Sequence, residues 1–499
     1  MESHQIQGKD LSPQTATALF WSIVLLCAAV WAVLPAMFHS GYRNDTIELI
    51  IVGKEWVLSN AKHPALTAWL AEIMSILTGK AFIAPFLVAQ LCTIVTVWSV
   101  WQLARMVLSE KYALVAALAA LPQRLLTNES VLYNHNSLLL ACYAIAVYLV
   151  FQAFQTNRLR FWIGAGFAIG IGMHNKYPLI MLAIAILLYM TFRPAGRKHW
   201  RTIGPYLTTG LAFLIFSPHL IWLVLNDYPT FTYAASSRPS YEGWWFRILL
   251  PLKFATSQPL YWIPQLVVLF PVLGWIWTWK KRPFETDKAK ECERFLFYCA
   301  IIPIIFHLLV SAGNVKLRMV FGAPFWCFFG TWLLLQIQAR DISRLIPKTI
   351  LCLAAMECAL VIGFFVTFYG HKQPIYVYLP MDQLAAECDR LWEEKQFSTP
   401  CAFVTGDVYL AGHAAYRMKD RPSVHYSAST WSTEADINRR GGIVILQVDP
   451  NEEPNFDWVH EHFPTAEILS KELVLPDPDG VHSKCSIHMR FALIPPSEE

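Results

Sequence analysis

The sequence predicts a membrane α-helical protein, a polytopic bundle that carries a small C-terminal α/β domain. Of 499 residues, 55% are hydrophobic and only 15% are charged, against about 25% charged residues in soluble domains. Apolar runs of about 18 or more residues recur and stop near Tyr369. That is the length needed to cross roughly 30 Å of hydrocarbon. Beyond that point the pattern changes to "CAFVTGD", "GGIVILQV" and "CSIHMRFALI", short strand-like runs separated by Pro, Gly and Asp turns. The chain therefore divides into a membrane region, 1–371, with a polar loop at 39–82, and a soluble α/β domain, 372–499.

The first apolar run, Ala16 to Phe38, is longer than a signal-peptide core and lacks a small-residue cleavage site, so it is expected to stay as a span. Further spans are expected at 83–107, 112–124, 136–154, 161–174, 177–193, 203–224, 255–279, 295–311, 319–338 and 348–369, a bundle of about eleven or more helices. Five connecting segments are rich in Lys and Arg: "ARMVLSEK", "NRLR", "RPAGRKHWR", "WKKRPFETDKAKECER" and "QARDISRLIPK". The positive-inside rule places these and the N-terminus in the cytoplasm. The loop at 39–82, the loops after Leu121, Met173, Leu225 and Val310, and residues 372–499 then lie outside.

Orientation gives no reason for the basic residues on that outer side: Arg43, Lys54, Lys62, Arg124, Lys176, Arg238, Arg247, Lys316 and Arg318. The net charge of +4 carries no implication of nucleic-acid binding in so apolar a chain. Eight of the eleven cysteines lie between Cys27 and Cys358 and read as apolar packing residues. Cys388, Cys401 and Cys485 form no complete disulfide framework.

In "HSGYRNDTIELIIVGKEWVLSNAKHPALTAW" the apolar Ile47, Ile50, Ile51 and Trp56 recur at helical spacing, as in a helix lying along the membrane surface. A solvated helix face accounts for Lys54 and Glu55. Asp45 and Glu48, one turn apart beside the first span, are candidates for chemistry, because carboxylates held at a membrane boundary usually have a task. In "KHPALTAWL" a proline opens a new apolar helix, whose free N–H groups and positive end suit an anion. His63 there fits either a contact to that anion or an ordinary interfacial histidine.

"GIGMHNKYPLIML" places His174, Asn175, Lys176 and Tyr177 between two spans with almost no loop. Lys176 either snorkels or contacts an anion. "LPQRLLTNESVLYNHNSLL" adds Arg124, Glu129, His135 and Asn136, and "SPHLIWLVLNDYPTF" adds His219, Asn226 and Asp227, as lining residues or as loop polarity and capping. Histidines 63, 135, 174 and 219 show no metal-ligand spacing. No metal or other cofactor is expected, although a divalent metal is not excluded. Glu357 in the last span is a buried-acid candidate that pairing inside the bundle explains equally well.

Taken in order, "NDTIEL", "KHPALTAW", "GIGMHNKYP" and "SPHLIWLVLND" resemble the integral-membrane GT-C glycosyltransferases of family 39 type, over about residues 15–335. That group includes protein O-mannosyltransferases, aminoarabinose transferases acting on lipid A and galacturonosyltransferases acting on lipopolysaccharide core. The resemblance implies a GT-C bundle that transfers a hexosyl or pentosyl group from a polyprenyl-phosphate donor. The acceptor would be lipid A or lipopolysaccharide, another glycan, or a protein, on the outer face of a bacterial inner membrane. The family's essential first-loop Asp matches Asp45, and its second acidic residue matches Glu48. Aminoarabinose transferases carry a phosphate-contacting Lys directly before the proline of "PAL". This chain has His63 there and Lys62 one step earlier, which is closer to the galacturonosyltransferase-like branch.

The chemistry agrees with that picture on its own terms. A polyprenyl phosphate leaves without a general acid, but its charge needs stabilising in a poorly hydrated site. Lys176, His63, Arg124 and Lys62 are the available donors and cations. Tyr177, His174, His135, Asn226 and Asp227 would line the substrate. The acceptor hydroxyl needs a base within reach, and Asp45 is the best placed. A flippase of a lipid-linked sugar is the alternative, although the paired repeats common in transporters are not seen in the sequence. A receptor-like membrane protein that binds through residues 372–499 is a third reading.

Overall fold

Among the described residues each of the eleven expected spans falls mostly on helix. The computed structural model describes residues 11–236, 241, 243–273, 280–281, 286–338, 344–370, 376–449, 456–476 and 486–497. The expected domain boundary at 371–372, Arg238, Cys485 and the end of the 255–279 span lie outside the described residues.

In chain order the helices of the membrane region are α1 (Pro13–Phe38), α2 (Asn44–Lys54), α3 (Leu66–Leu77), α4 (Ala84–Arg105), α5 (Glu110–Ala120), α6 (His135–Thr156), α7 (Leu159–Met173) and α8 (Ile180–Phe192). They continue with α9 (Pro194–Arg197), α10 (Gly204–Leu225), α11 (Pro229–Ser236), α12 (Phe246–Ser257), α13 (Pro259–Leu273), α14 (Asp287–Ala312), α15 (Phe329–Gln336) and α16 (Leu345–Gly370). A two-residue ribbon pairs β1 (Lys280–Lys281) antiparallel with β2 (Ile337–Gln338).

Among the described residues, six helices are long and apolar enough to cross a membrane: α1, α4, α6, α10, α14 and α16. Two bent pairs, Tyr177–Phe192 with Pro194–Arg201 and Met319–Trp326 with Phe329–Gln336, raise the number to eight. The short helices α5, α7 and α13, of 11, 15 and 15 residues, complete the expected set. Helix α5 is buried from Tyr112 to Ala120, so its surroundings are protein on every side. Local signals set the starts: Ser12 Oγ accepts the Thr15 N–H ahead of Pro13, and Asn134 Oδ1 accepts the Asn136 N–H at the head of α6. Glu357 on α16 accepts the Trp31 indole N–H from α1 at 2.9 Å, so the acid is used in packing the two helices together.

The C-terminal part begins with α17 (Met381–Glu394), whose buried Met381, Leu384, Ala385, Cys388, Leu391 and Trp392 form one apolar stripe. It continues with β3 (Phe403–Gly406), α18 (Val408–Arg417), β4 (Ser423–Val424), α19 (Glu434–Arg440), β5 (Gly442–Val448), α20 (Asp457–His462), β6 (Glu467–Leu475) and β7 (Ile487–Ile494). The sheet order is β4-β3-β5-β7-β6, parallel between β4, β3 and β5, and antiparallel where β7 joins β5 and β6. Asp407 turns the chain from β3 into α18 by accepting the N–H groups of Tyr409 and Leu410. Among the described cysteines all are free; Cys388 and Cys401 are buried, and Cys358 is exposed on α16.

Helix α2 does not lie on a surface with one solvated face. Its residues Thr46, Ile47 and Leu49 to Gly53 are all buried, because α3 covers one side and α18 the other. At Gly53 a Cβ would stand 2.4 Å from the Ala68 carbonyl of α3, and at Gly412 of α18 it would stand 2.6 Å from Ile51. At Gly53 the backbone leaves no room for a side chain, and at Gly412 one would push the Ile47 and Ile51 side chains aside. Polar contacts fix the docking. Arg421 forks onto the buried Glu72 of α3 at 2.7 and 2.5 Å. Tyr416 bonds Ser75 at 2.9 Å, and Arg417 donates to the Ser40 carbonyl at 2.9 Å. His413 donates from Nδ1 to the Tyr409 carbonyl and accepts the Tyr42 N–H at Nε2. Burial, then the neighbouring Arg417 charge, pull its pKa down to about 3, so the ring stays neutral as this pattern requires.

Glu72 is 3% exposed, so Arg421→Met leaves a buried carboxylate without its partner. A loss of about 3–5 kcal/mol is expected, read as a lower thermal midpoint of the detergent-purified protein. Adding Glu72→Leu should recover most of it; a midpoint unmoved by the single change would remove this pair from the docking.

Candidate functional site

Asp45 stands in the first turn of α2, where the helix N-terminus favours negative charge. Its Oδ2 accepts 3.1 Å from Asn134 Nδ2. Asn134 thus has two tasks, since its other amide atom caps α6. Among the described residues this is the one hydrogen bond shown for the Asp45 carboxylate, and the residue is half-buried.

Glu48, three residues on, meets a different set of groups. Lys62 Nζ lies 2.7 Å from its Oε1, and Tyr426 of the C-terminal part donates to the same oxygen at 3.0 Å. Burial lowers the Lys62 pKa, and the charge and hydrogen bond of Glu48 more than reverse that, so the net direction is upward and the ammonium persists. The backbone N–H groups of Lys62 and His63 both donate to Asn60 Oδ1, at 2.9 and 2.8 Å. That turn holds the His63 ring 4.4 Å from the His135 ring. Burial first, then the charges of His135, Lys176 and Lys62, push the His63 pKa well below its ordinary value. His63 is therefore a neutral hydrogen-bonding group rather than a cation.

Lys176 leaves the end of α7 in extended backbone, with φ −159° and ψ 131°. It is 9% exposed. Its ammonium donates 2.7 Å to Asn136 Oδ1 and sits 4.5 Å above the Phe321 ring. Burial pulls its pKa down to about 8; the Asp45 carboxylate opposes that and Arg318 adds to it. Next to it, Asn175 accepts from Thr67 of α3 and bonds His135 at both its ring and its carbonyl. Lys176, Asn136, His135, Asn134 and Asp45 thus form one connected polar surface.

Tyr177 and His174 reach a second group. The Tyr177 hydroxyl lies 2.7 Å from His219 Nε2 and 3.0 Å from Thr230 Oγ1. The His174 ring stands 5.7 Å from that of His219 and 5.9 Å from Trp69 of α3, so an aromatic wall runs from α3 to α11. Other expected residues are placed elsewhere. Arg124 is taken up by Glu129 at 2.8 Å in its own 3₁₀ turn, with no described contact to Asp45, Lys176 or His63. Asn226 and Asp227 are exposed at the end of α10, where Asn226 donates back to the Trp222 carbonyl.

Several residues of this surface escaped sequence reasoning. Asn134 carries the contact to Asp45, and its signal was a capping residue ahead of an apolar helix. Phe321 and Tyr426 come from distant segments, and no local pattern marks them; Arg318, marked in the sequence only as a basic residue on the expected outer side, acts on Lys176 through its charge. Among the described residues no three His, Cys, Asp or Glu side chains group as metal ligands. The loop after α1 and the turn before α3 meet the C-terminal part, through Ser40 and Gly41 N–H to the Val377 carbonyl and Ala61 N–H to the Ala428 carbonyl. Arg105 with Glu110, and Arg193 with Glu291, pair in the basic segments expected on the opposite side.

Comparison with known proteins gives the fold a relative. The apo crystal structure of ArnT from Cupriavidus metallidurans superposes with a TM-score of 0.57 at 13% identity, covering 96% of this chain and 98% of that one. The chain has the GT-C fold. The structure of the same enzyme bound to undecaprenyl phosphate superposes at 0.54, again with 13% identity and coverage of 96% and 98%. The family model described as dolichyl-phosphate-mannose-protein mannosyltransferase matches residues 62–222. That stretch of the GT-C fold holds Lys62, His63, Asn134 to Asn136, Lys176, Tyr177 and His219, but neither Asp45 nor the C-terminal part. No curated protein sequence matches the chain.

Because the Lys176 pKa is pulled down to about 8, its ammonium is present at pH 7 and lost as pH rises through that value. A lipid phosphate held by this cation should bind progressively more weakly above pH 8, by at most about tenfold per unit for one proton. Lys176→Arg, which stays charged, should flatten that limb. Affinity for undecaprenyl phosphate that is flat from pH 7 to 10 in the native protein would separate Lys176 from the phosphate.

Proposed function

We propose that this chain is a membrane glycosyltransferase that moves a sugar from a polyprenyl-phosphate donor to an acceptor hydroxyl. What carries the reading is the placement of a half-buried carboxylate, Asp45, opposite a buried ammonium, Lys176, at the end of a GT-C bundle where both can face one substrate. The match of residues 62–222 to the mannosyltransferase model supports it, as does the shared fold with an enzyme recorded bound to undecaprenyl phosphate.

In this mechanism the acceptor oxygen forms a bond to the anomeric carbon and gives its proton to Asp45. The bond from that carbon to the phosphate oxygen breaks, and the electron pair leaves with the polyprenyl phosphate. Lys176, oriented by Asn136, stabilises the departing charge in a poorly hydrated setting. Lys62 adds a second cation and His63 a neutral donor. Glu48, paired with Lys62, serves position rather than proton transfer. Tyr177, His174 and His135 form the wall beside the sugar. The reading assigns no cofactor. It takes the acceptor to be a glycolipid such as lipid A or lipopolysaccharide, a glycan or a protein, and the location to be a bacterial inner membrane.

Asp45→Asn keeps the shape and the Asn134 contact but removes the proton acceptor. Turnover of a polyprenyl-phosphate sugar should fall about 10²–10⁴-fold, with undecaprenyl phosphate affinity retained. Glu48→Gln should cost less turnover. Native turnover in the Asn variant would overturn the base assignment, and lipid-linked sugar that crosses the membrane without being consumed would favour a flippase.

The same reading places the C-terminal part outside the cytoplasm. Ser427 is exposed, and a cysteine introduced there should react with a membrane-impermeant maleimide in spheroplasts, above the level of the parent chain. Reaction only after the inner membrane is permeabilised would reverse the orientation.

A further inference from the structure

The donor-side cation Lys62 is confined from several directions, and one group confining it belongs to the C-terminal part. Its ammonium is paired with Glu48 at 2.7 Å and lies 5.6 Å from the ring centroids of both Tyr426 and Tyr233. A cation so held between a carboxylate and aromatic faces loses much of the freedom of a lysine side chain. Tyr426 touches three members of the arrangement. Its hydroxyl donates to Glu48 at 3.0 Å and accepts from Asn60 Nδ2 at 3.3 Å, and Asn60 Oδ1 in turn holds the backbone of Lys62 and His63.

Tyr426 is itself fixed. It is buried, and its turn is closed by its own N–H to Ser429 Oγ and by the Ser429 N–H to its carbonyl. The same segment grips the Lys62 loop twice more, through Thr430 Oγ1 to the Ser59 carbonyl at 3.0 Å and Ala61 N–H to the Ala428 carbonyl at 3.3 Å. Docking of the sheet domain and placement of this cation are therefore parts of one hydrogen-bonded unit.

We infer that Tyr426 is a positioning residue of the donor-phosphate site, acting through Glu48 and Asn60 to aim the Lys62 ammonium. This rests on the proposed function, in which Lys62 faces the donor phosphate. It gives the C-terminal domain a role in the chemistry of the membrane part: removing one hydroxyl there should be felt by the lipid phosphate.

The probe is undecaprenyl phosphate titrated onto the full-length protein in nanodiscs. Tyr426→Phe keeps the ring and should weaken binding about 3–10-fold, the range expected for one hydrogen bond. In a Lys62→Met background the same change should have no further effect, because the group it acts through is gone. A merely structural hydroxyl would give the same loss in both backgrounds, and that result, or no loss in either, overturns the inference. Glu48→Gln cuts the same link without touching the sheet domain, so it tests the assignment even if Tyr426→Phe folds poorly. It should reproduce the loss and add nothing to Lys62→Met. Lys176→Ala separates the two levels of argument. If it weakens binding while Tyr426→Phe and Glu48→Gln do not, only the positioning role falls. If Lys176→Ala also binds as the native protein does, the reading of the whole site falls, and this inference with it.

Discussion

The close packing of α2 between α3 and α18 is the constraint on which the site depends. Gly53 lets α2 approach the Ala68 carbonyl and Gly412 lets α18 approach Ile47 and Ile51, with less room than a methyl group needs on either side. A helix buried on both faces cannot roll. Its two carboxylates, three residues apart, are therefore presented to fixed and separate neighbours: Asp45 to the Asn134 turn at the head of α6, Glu48 to Lys62 and Tyr426. The sheet domain acts here as the second wall of the helix that carries the acids.

That separation gives two similar residues different chemistry. Glu48 is held in an ion pair and a tyrosine hydrogen bond, so one of its oxygens is already taken up by two partners. Asp45 has a single amide donor among the described residues. The nearby cations also differ in kind. Lys176 is buried against Phe321 and Asn136, so its proton is less firmly held; Lys62 sits against a carboxylate, so its proton is more firmly held. Lowered proton affinity at Lys176 reflects the cost of bringing a charge out of water, which the Asp45 carboxylate only partly offsets.

The polar groups at this end come from chain segments far apart, and the bundle has the form needed to collect them. Helices α7 and α8 are joined by residues 174–179 with almost no loop, which leaves Lys176 at the rim, where Asn136 of α6 can reach it. The 3₁₀ stretch Met319–Trp326 bends before α15 and brings Phe321 over the same ammonium. Broken and shortened helices can occur here because neighbouring helices and side chains satisfy the backbone they free.

By itself the sequence determined the class of the protein and the membrane and sheet regions, because hydrophobic length and strand-like alternation are local properties. It also marked Asp45, Glu48, Lys62, His63 and Lys176 as charged or polar groups where an apolar chain has little reason to keep them. The order of its motifs pointed to the GT-C group. The tertiary structure decided which of these residues meet. Arg124, a second-rank candidate in the sequence, is taken up by Glu129; Asn226 and Asp227 end a helix in the open; His63 is neutral through its surroundings. Asn134, Phe321 and Tyr426 enter only through contacts spanning 89, 145 and 378 positions, from Asp45, Lys176 and Glu48 respectively. Contacts at such separations arise from packing, and packing has no period that a single chain displays.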